Sequence, residues 1–236
     1  LKDESEILIV LGDTVTDLDL KILLNEKSSC FAVKEVNDPR EFGVVELNTE
    51  GVVERVMEKP RIPKSNLAMV GLYKIKEVKI LLEALEENIS NNHRFMGEFQ
   101  LTDGFMKMIE RGVKFKTILV NNWFDCGKKE ILLETNRILL DKKIYSAVDE
   151  PAYDNTILIH PISIGEGCLI KDCIIGPYVA IGNNTKITSS IINNSIIGSF
   201  STLEDVILSR SIIGSDTYVK GIRKSLNIGD NTEIEW

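Results

Sequence analysis

Two rhythms of apolar and polar residues run along this chain, and one gives way to the other near residue 150. The first opens on Ile7-Leu-Ile-Val-Leu11, five aliphatic residues that lead into Gly12 and Asp13. So short and apolar a run predicts a central strand covered on both faces, with a tight turn leaving Asp13 at its carboxyl end. Leu20, Leu23 and Leu24 stand at helical spacing behind an acidic start and predict a helix within 17–27. Residues 30–36 are β-prone, and Asp38-Pro39 marks a turn. Strands over 42–47 and 52–57 flank Asn48-Thr-Glu-Gly51, which reads as a hairpin loop. A strand over 68–75 follows, then amphipathic helices over 77–88 and 101–111, the second stopped by Gly112. A strand over 113–120, an apolar strand end at Trp123-Phe-Asp-Cys-Gly127 and a helix over 130–140 complete the series. Strands alternating with helices in this way predict an α/β layered fold.

Beyond residue 150 the helical period is replaced by recurring Ile-Gly pairs, at 164, 175, 181, 197, 213 and 228. From Ile181 onward the intervals are 16, 16 and 15 residues, and within a coil aliphatics recur about every six, as at Ile175, Ile181 and Ile187. Such self-similarity predicts a solenoid of short strands, each turning one aliphatic inward, with Gly or Asn at corners that need positive φ. The domains expected are therefore 1–145 and 146–236. The flat, Ile-rich coil face and its open edges predict a homo-oligomer, a dimer or larger.

Composition narrows the function classes. A net charge of −8 argues against a general nucleic-acid binder, while a phosphorylated substrate bridged by a metal stays compatible with it. No apolar run is long enough to cross a bilayer and no signal-peptide pattern is present, which predicts a cytoplasmic protein with no membrane partner. The four cysteines form no CxxC pair and sit among apolar neighbours, as small buried residues of a reducing compartment do. Leu1 rather than Met opens the sequence, and a strong strand follows almost at once; this predicts that the chain begins inside a larger domain. Asp13, at a strand's carboxyl end, is placed to hold a divalent cation over a phosphate, or equally to cap a turn or the next helix.

Six motifs taken in order carry a resemblance: Leu11-Gly-Asp13; Phe42-Gly-Val-Val-Glu46; Glu58-Lys-Pro-Arg-Ile-Pro-Lys-Ser-Asn66; Gly97-Glu-Phe-Gln-Leu-Thr-Asp103; Trp123-Phe-Asp125-Cys-Gly127; and Glu134-Thr-Asn-Arg137. Over nearly its whole length the chain resembles the sugar-1-phosphate nucleotidyltransferases, and most of all the long glucose-1-phosphate thymidylyltransferases. The resemblance implies a partial Rossmann-like α/β nucleotidyltransferase domain followed by a left-handed parallel β-helix of hexapeptide repeats. It implies Mg²⁺-dependent transfer of a nucleotidyl group from a nucleoside triphosphate, dTTP, to a hexose 1-phosphate, glucose 1-phosphate, with release of pyrophosphate. On matching positions, Asp13 and Asp125 resemble the carboxylates that hold Mg²⁺. Glu58 resembles the acid that meets sugar hydroxyls, and Lys59 the cation that meets the sugar phosphate. Leu11, Gly43 and Met69 line up with walls of the sugar pocket.

Other readings of the same residues stay open. Lys59 before Pro60 also suits a solvated strand end, and Asp125 a buried hydrogen-bonding acid. Residues 97–103, with Thr102 and Asp103, suit a helix N-terminal cap and are assigned support of the pocket only. The family's glycine-rich loop, with its arginine and lysine, has no counterpart and would precede Leu1, so the chain by itself is expected to be inactive. Cys126 follows Asp125 where Thr or Val is commoner. Alternatives are a uridylyl-, adenylyl- or guanylyltransferase relative, and a non-catalytic regulatory or assembly subunit of the same layout. A sugar acetyltransferase would need a histidine among the coils, and only His93 and His160 exist, His160 being expected just before them.

Overall fold

The computed structural model describes residues 3–142, 153–221 and 223–234. These form two compact units, one ending at Asp125 and the other starting at Cys126. The domain boundary expected at 145/146 lies outside the described residues.

The first unit runs β1 (Ile7–Val10), β2 (Thr14–Thr16), α1 (Leu20–Asn25), β3 (Cys30–Glu35), β4 (Gly43–Leu47), β5 (Val53–Glu58), β6 (Leu67–Ile75), α2 (Val78–Ser90), α3 (Leu101–Glu110), β7 (Lys116–Leu119) and β8 (Trp123–Asp125). Its main sheet is mixed, ordered β5-β4-β6-β3-β7, with β1 also paired to β6 and β3·β7 as its parallel pair. β3 is buried on both faces, as is β6. Phe31 and Val33 enter a core with Tyr73, Phe105 and Phe115, whereas Cys30 and Ala32 enter another with Leu23 of α1 and with Val70, Leu72 and Val120. Phe31 stacks on Phe115 with ring centroids 4.3 Å apart, and edge contacts to Tyr73 lock the first core.

The opening run of aliphatics differs from expectation. β1 has β6 as its single strand neighbour among the described residues, its side chains are half-buried, and Val10 is 53% exposed. Five aliphatics in a row specify a strand, but its position depends on pairing. The doubly covered places go to β3 and β6, whose partners lie far away in sequence. The hairpin is as expected: Asn48 Oδ1 accepts from the amides of Glu50 and Val52, and Gly51 takes φ +75°. Lys74 of β6 is buried, yet its ammonium donates to the carbonyls of Leu24 and Glu26 at the end of α1, which satisfies both partners.

The second unit starts with α4 (Lys129–Lys142) and continues into a parallel β-solenoid of three sheets with five short strands each. Ile175, Ile187, Ile192, Leu203, Leu208 and Val219 fill its centre. The repeated glycines serve a different purpose from the corners they were expected to turn. Of the six Ile-Gly glycines only Gly176 has positive φ; the left-handed corners fall on residues such as Asn184, Asn194, Asp205 and Asp216. A Cβ on Gly182 would stand 2.5 Å from the Ser199 amide nitrogen in the next coil, so what glycine provides there is close stacking. His160 lies between the strands Ile157–Leu158 and Ile162–Ile164, inside the first coil rather than before it.

The three outer faces of the solenoid differ. One carries Ala180, Ile196 and Ile212, half-buried, and α4 packs against its strand Ser195–Ile197. There Asn136 Nδ2 donates to the Tyr178 carbonyl and the Arg137 guanidinium lies 4.6 Å from the Tyr178 ring centre. A second face is charged, with Lys171 paired to Asp154 and Lys220 to Glu204. The third presents Ile157, Ile174, Ile191 and Ile207 in register on successive strands, and Ile157, Ile191 and Ile207 are 59%, 40% and 38% exposed. Among the described residues no helix is long and apolar enough to cross a membrane.

Candidate active-site cleft

A cleft of about 410 Å³ opens in the first unit, and the chain reaches it from six places. The turn after β1 comes first. The Leu11 amide donates to the Gly71 carbonyl, Thr14 N closes the turn onto the Leu11 carbonyl, and Thr14 Oγ1 donates to the Val70 carbonyl at 2.7 Å. Gly71 has φ +85°, and a Cβ on it would meet Thr14 Oγ1 at 2.5 Å; only glycine lets the turn sit this close to β6. β2 then pairs antiparallel with β8, and Thr14 stands opposite Asp125. Asp13, one residue before Thr14, and Asp125, at the end of β8, therefore come to the same end of this two-stranded ribbon, and both line the cleft.

The opposite wall is where β4 begins and β5 ends, Gly43 facing Glu58 across the ladder. A Cβ built on Gly43 would lie 3.1 Å from Thr102 Cγ2 and 3.3 Å from both Glu58 Oε2 and Met69 Sδ, so four residues converge on one point. Thr102 Oγ1 donates to Glu58 Oε2 at 3.1 Å. Burial holds the Glu58 carboxyl above the ordinary glutamate range, against the opposing pull of the Thr102 hydroxyl and the Lys59 ammonium; the charge of Asp103 adds to the rise. Lys59 adopts φ +40°, uncommon for a residue with a Cβ, and its amide donates to the Phe42 carbonyl. Phe42 in turn meets Trp123 edge to face at 4.8 Å.

All seven residues singled out from the sequence, Leu11, Asp13, Gly43, Glu58, Lys59, Met69 and Asp125, line this one cleft. Thr102 was assigned support, and that support is now specific: α3 begins after Gln100 without a side-chain cap, leaving the Thr102 hydroxyl free to hold Glu58. Thr14, Tyr73 and Trp123 also line the cleft and were not singled out. The strand pattern around Trp123 and the Gly71-Leu-Tyr73 run carried no polar spacing that would have marked them.

Asp13, Glu41, Glu58 and Asp125 give the cleft an excess of carboxylates over Lys59. Among the described residues no three His, Cys, Asp or Glu side chains cluster as a closed metal cage. Two carboxylates at one end, with room beside them, suit a hard divalent ion such as Mg²⁺ that keeps water and takes phosphate oxygens for the rest of its shell.

Residues 1–142 match the nucleotidyl transferase family. A glucose-1-phosphate thymidylyltransferase of Streptomyces antibioticus is 30% identical over 85% of this chain and 61% of its own length. The bifunctional protein GlmU of Methanocaldococcus jannaschii is 31% identical over 93% of the chain and 59% of its own length. A bifunctional sugar-1-phosphate nucleotidylyltransferase/acetyltransferase of Sulfurisphaera tokodaii is 28% identical over 99% and 60%. The chain thus spans about three fifths of the length of these curated relatives.

Proposed function

Since the chain belongs to the nucleotidyl transferase family, we propose that its first unit binds a hexose 1-phosphate, glucose 1-phosphate, and directs that phosphate at the α-phosphorus of a nucleoside triphosphate, dTTP. Supporting this most is the convergence of Asp13, Asp125, Glu58 and Lys59 on one cleft from widely separated parts of the chain. Asp13 and Asp125 would hold Mg²⁺, which when bound offsets the negative charge of the two phosphate groups. Lys59 meets the sugar phosphate. Glu58, oriented by Thr102, accepts hydrogen bonds from sugar hydroxyls, and Gly43 leaves the space in which the ring sits. A sugar-phosphate oxygen forms the new bond to the α-phosphorus as the bond to pyrophosphate breaks, so the side chains act by positioning and need supply no nucleophile.

Calorimetric titration with a panel of sugar 1-phosphates tests the reading: glucose 1-phosphate binds and glucose 6-phosphate does not. Equal or absent binding of both overturns it. The residues encoded before Leu1 decide between transfer and the alternative, a regulatory subunit. A glycine-rich loop with Arg and Lys supports transfer; its absence favours the subunit.

For the second unit we propose self-association through the isoleucine face. The rungs repeat at the strand spacing of about 4.8 Å, and a row of that pitch is matched by the same row on a second copy. With α4 covering one apolar face and charges covering another, this face is the one left for a partner. Sedimentation velocity at micromolar concentration should show a dimer or larger, and Ile191→Lys with Ile207→Lys should reduce it to monomer. A wild-type chain that sediments only as monomer contradicts the proposal.

A further inference from the structure

The loop between α2 and α3 ends at the cleft, and it is tied across itself before it arrives there. Phe95 and Glu98 exchange both backbone hydrogen bonds, the Phe95 amide donating at 2.9 Å and the Glu98 amide at 3.1 Å. Between them Met96 and Gly97 take φ +52° and +89°, the left-handed pair of a type I′ turn. A Cβ on Gly97 would stand in open space, so the backbone angle alone calls for glycine there. Met96 adopts the same region at a cost, with its side chain 84% exposed. Arg94, just before the turn, is held inside the loop. Its Nε donates to Asn92 Oδ1 and its Nη1 to the Gly97 carbonyl, both at 2.8 Å, and its guanidinium carbon lies 4.1 Å from the centre of the Phe99 ring.

Phe99 lines the cleft and Arg94 does not, so the cation backs the ring from outside. A strained turn and a cation fixed by two hydrogen bonds are more than a connection of this length needs; what they produce together is one phenyl ring of set orientation. Of the four aromatic residues that line the cleft, Tyr73 is buried, and Phe42 and Trp123 pack on each other. Phe99 is left with a face to offer, and it is 40% exposed. The C–H face of a pyranose packs on such a ring, and a ring held in place beforehand loses less entropy on doing so. We propose that Phe99 is a sugar-contacting residue that stacks on the C–H face of the hexose ring, and that Arg94 is the positioning residue that fixes it. The assignment rests on the reading of the cleft as a sugar 1-phosphate site. Glu58 then meets the hydroxyl edge of the sugar while Phe99 takes its face.

The test is proton NMR of glucose 1-phosphate with the wild-type, F99L and R94A chains, with affinities measured alongside by calorimetry. A proton held over an aromatic face is shifted upfield, and leucine fills similar space without a ring current. Both substitutions fall at exposed positions, which spares the core. Sugar ring protons should move upfield on binding to the wild type. In F99L that shift should shrink and affinity should fall about threefold to tenfold. In R94A, where Phe99 is present but unbacked, both should change in the same direction and by less. If the wild type binds and F99L matches it in shift and affinity, the role of Phe99 is overturned while the cleft reading stands. R94A indistinguishable from wild type overturns the role of Arg94. No binding of glucose 1-phosphate by the wild type overturns the cleft reading, and the role of Phe99 with it.

Discussion

The two units assemble their important contacts over very different distances in sequence. In the first, Asp13 and Asp125 reach one cleft from opposite ends of the unit, and Gly43, Glu58, Met69 and Thr102 meet at a point from four separate segments. In the second, every strand pairs with its neighbours one coil away, Ile174 with Ile191 and Ile191 with Ile207. A site built from distant segments is specific because several strands must all be in register before it exists. A stack built from near repeats is regular, and its rungs depend on one another. Damage to the first should therefore be local and chemical, and damage to the second collective and structural.

The largest expected effect lies in the stack. Ile192 is wholly buried, and Ile192→Ala should cost about 2–5 kcal/mol, read by chemical denaturation. Hydrogen exchange should show protection falling in the coils on either side as well as at the mutated rung. Loss confined to the strand Ile191–Asn193 would break the comparison. Gly182→Ala comes next, at about 1–3 kcal/mol, because the added methyl would meet the Ser199 backbone. A neutral result there would mean that the coils can move apart without penalty.

The smallest expected effect sharpens the other side. Burial raises the Glu58 pKa in the folded state, so the stabilisation linked to this group is present below the unfolded pKa and lost as pH rises through the folded one. Glu58→Gln should therefore be modestly more stable than wild type near pH 7 in thermal melts. The gap should close as pH falls to about 4, the ordinary carboxylate range. A variant less stable than wild type at neutral pH would mean that the charged carboxylate is held by more than Thr102 and Lys59.

Much of this was legible in the sequence, and the failures have physical causes. Hairpin, helices and coils follow from short-range patterns: Asn48 with Gly51, leucines at helical spacing, and isoleucines every sixth residue. Hydrophobicity alone could not say that β1 would lie beside β6 while β3 and β6 took the buried centre, because that choice is made by pairing across the chain. The Ile-Gly glycines pointed to a solenoid but not to their purpose. Positive φ and close backbone approach both select glycine, and only the next coil's backbone distinguishes them. Thr102 looked like a helix cap because threonine near a helix start often is one; Glu58 claims its hydroxyl instead.

The most direct test of the account is the dependence of glucose 1-phosphate affinity on Mg²⁺, measured by calorimetry for the wild-type chain, Lys59→Met and Asp13→Asn. The account predicts binding strengthened by Mg²⁺ in the wild type, weakened about tenfold or more by loss of the lysine, and made insensitive to Mg²⁺ by loss of the aspartate. Affinity that is the same in all three chains, with and without Mg²⁺, would contradict it.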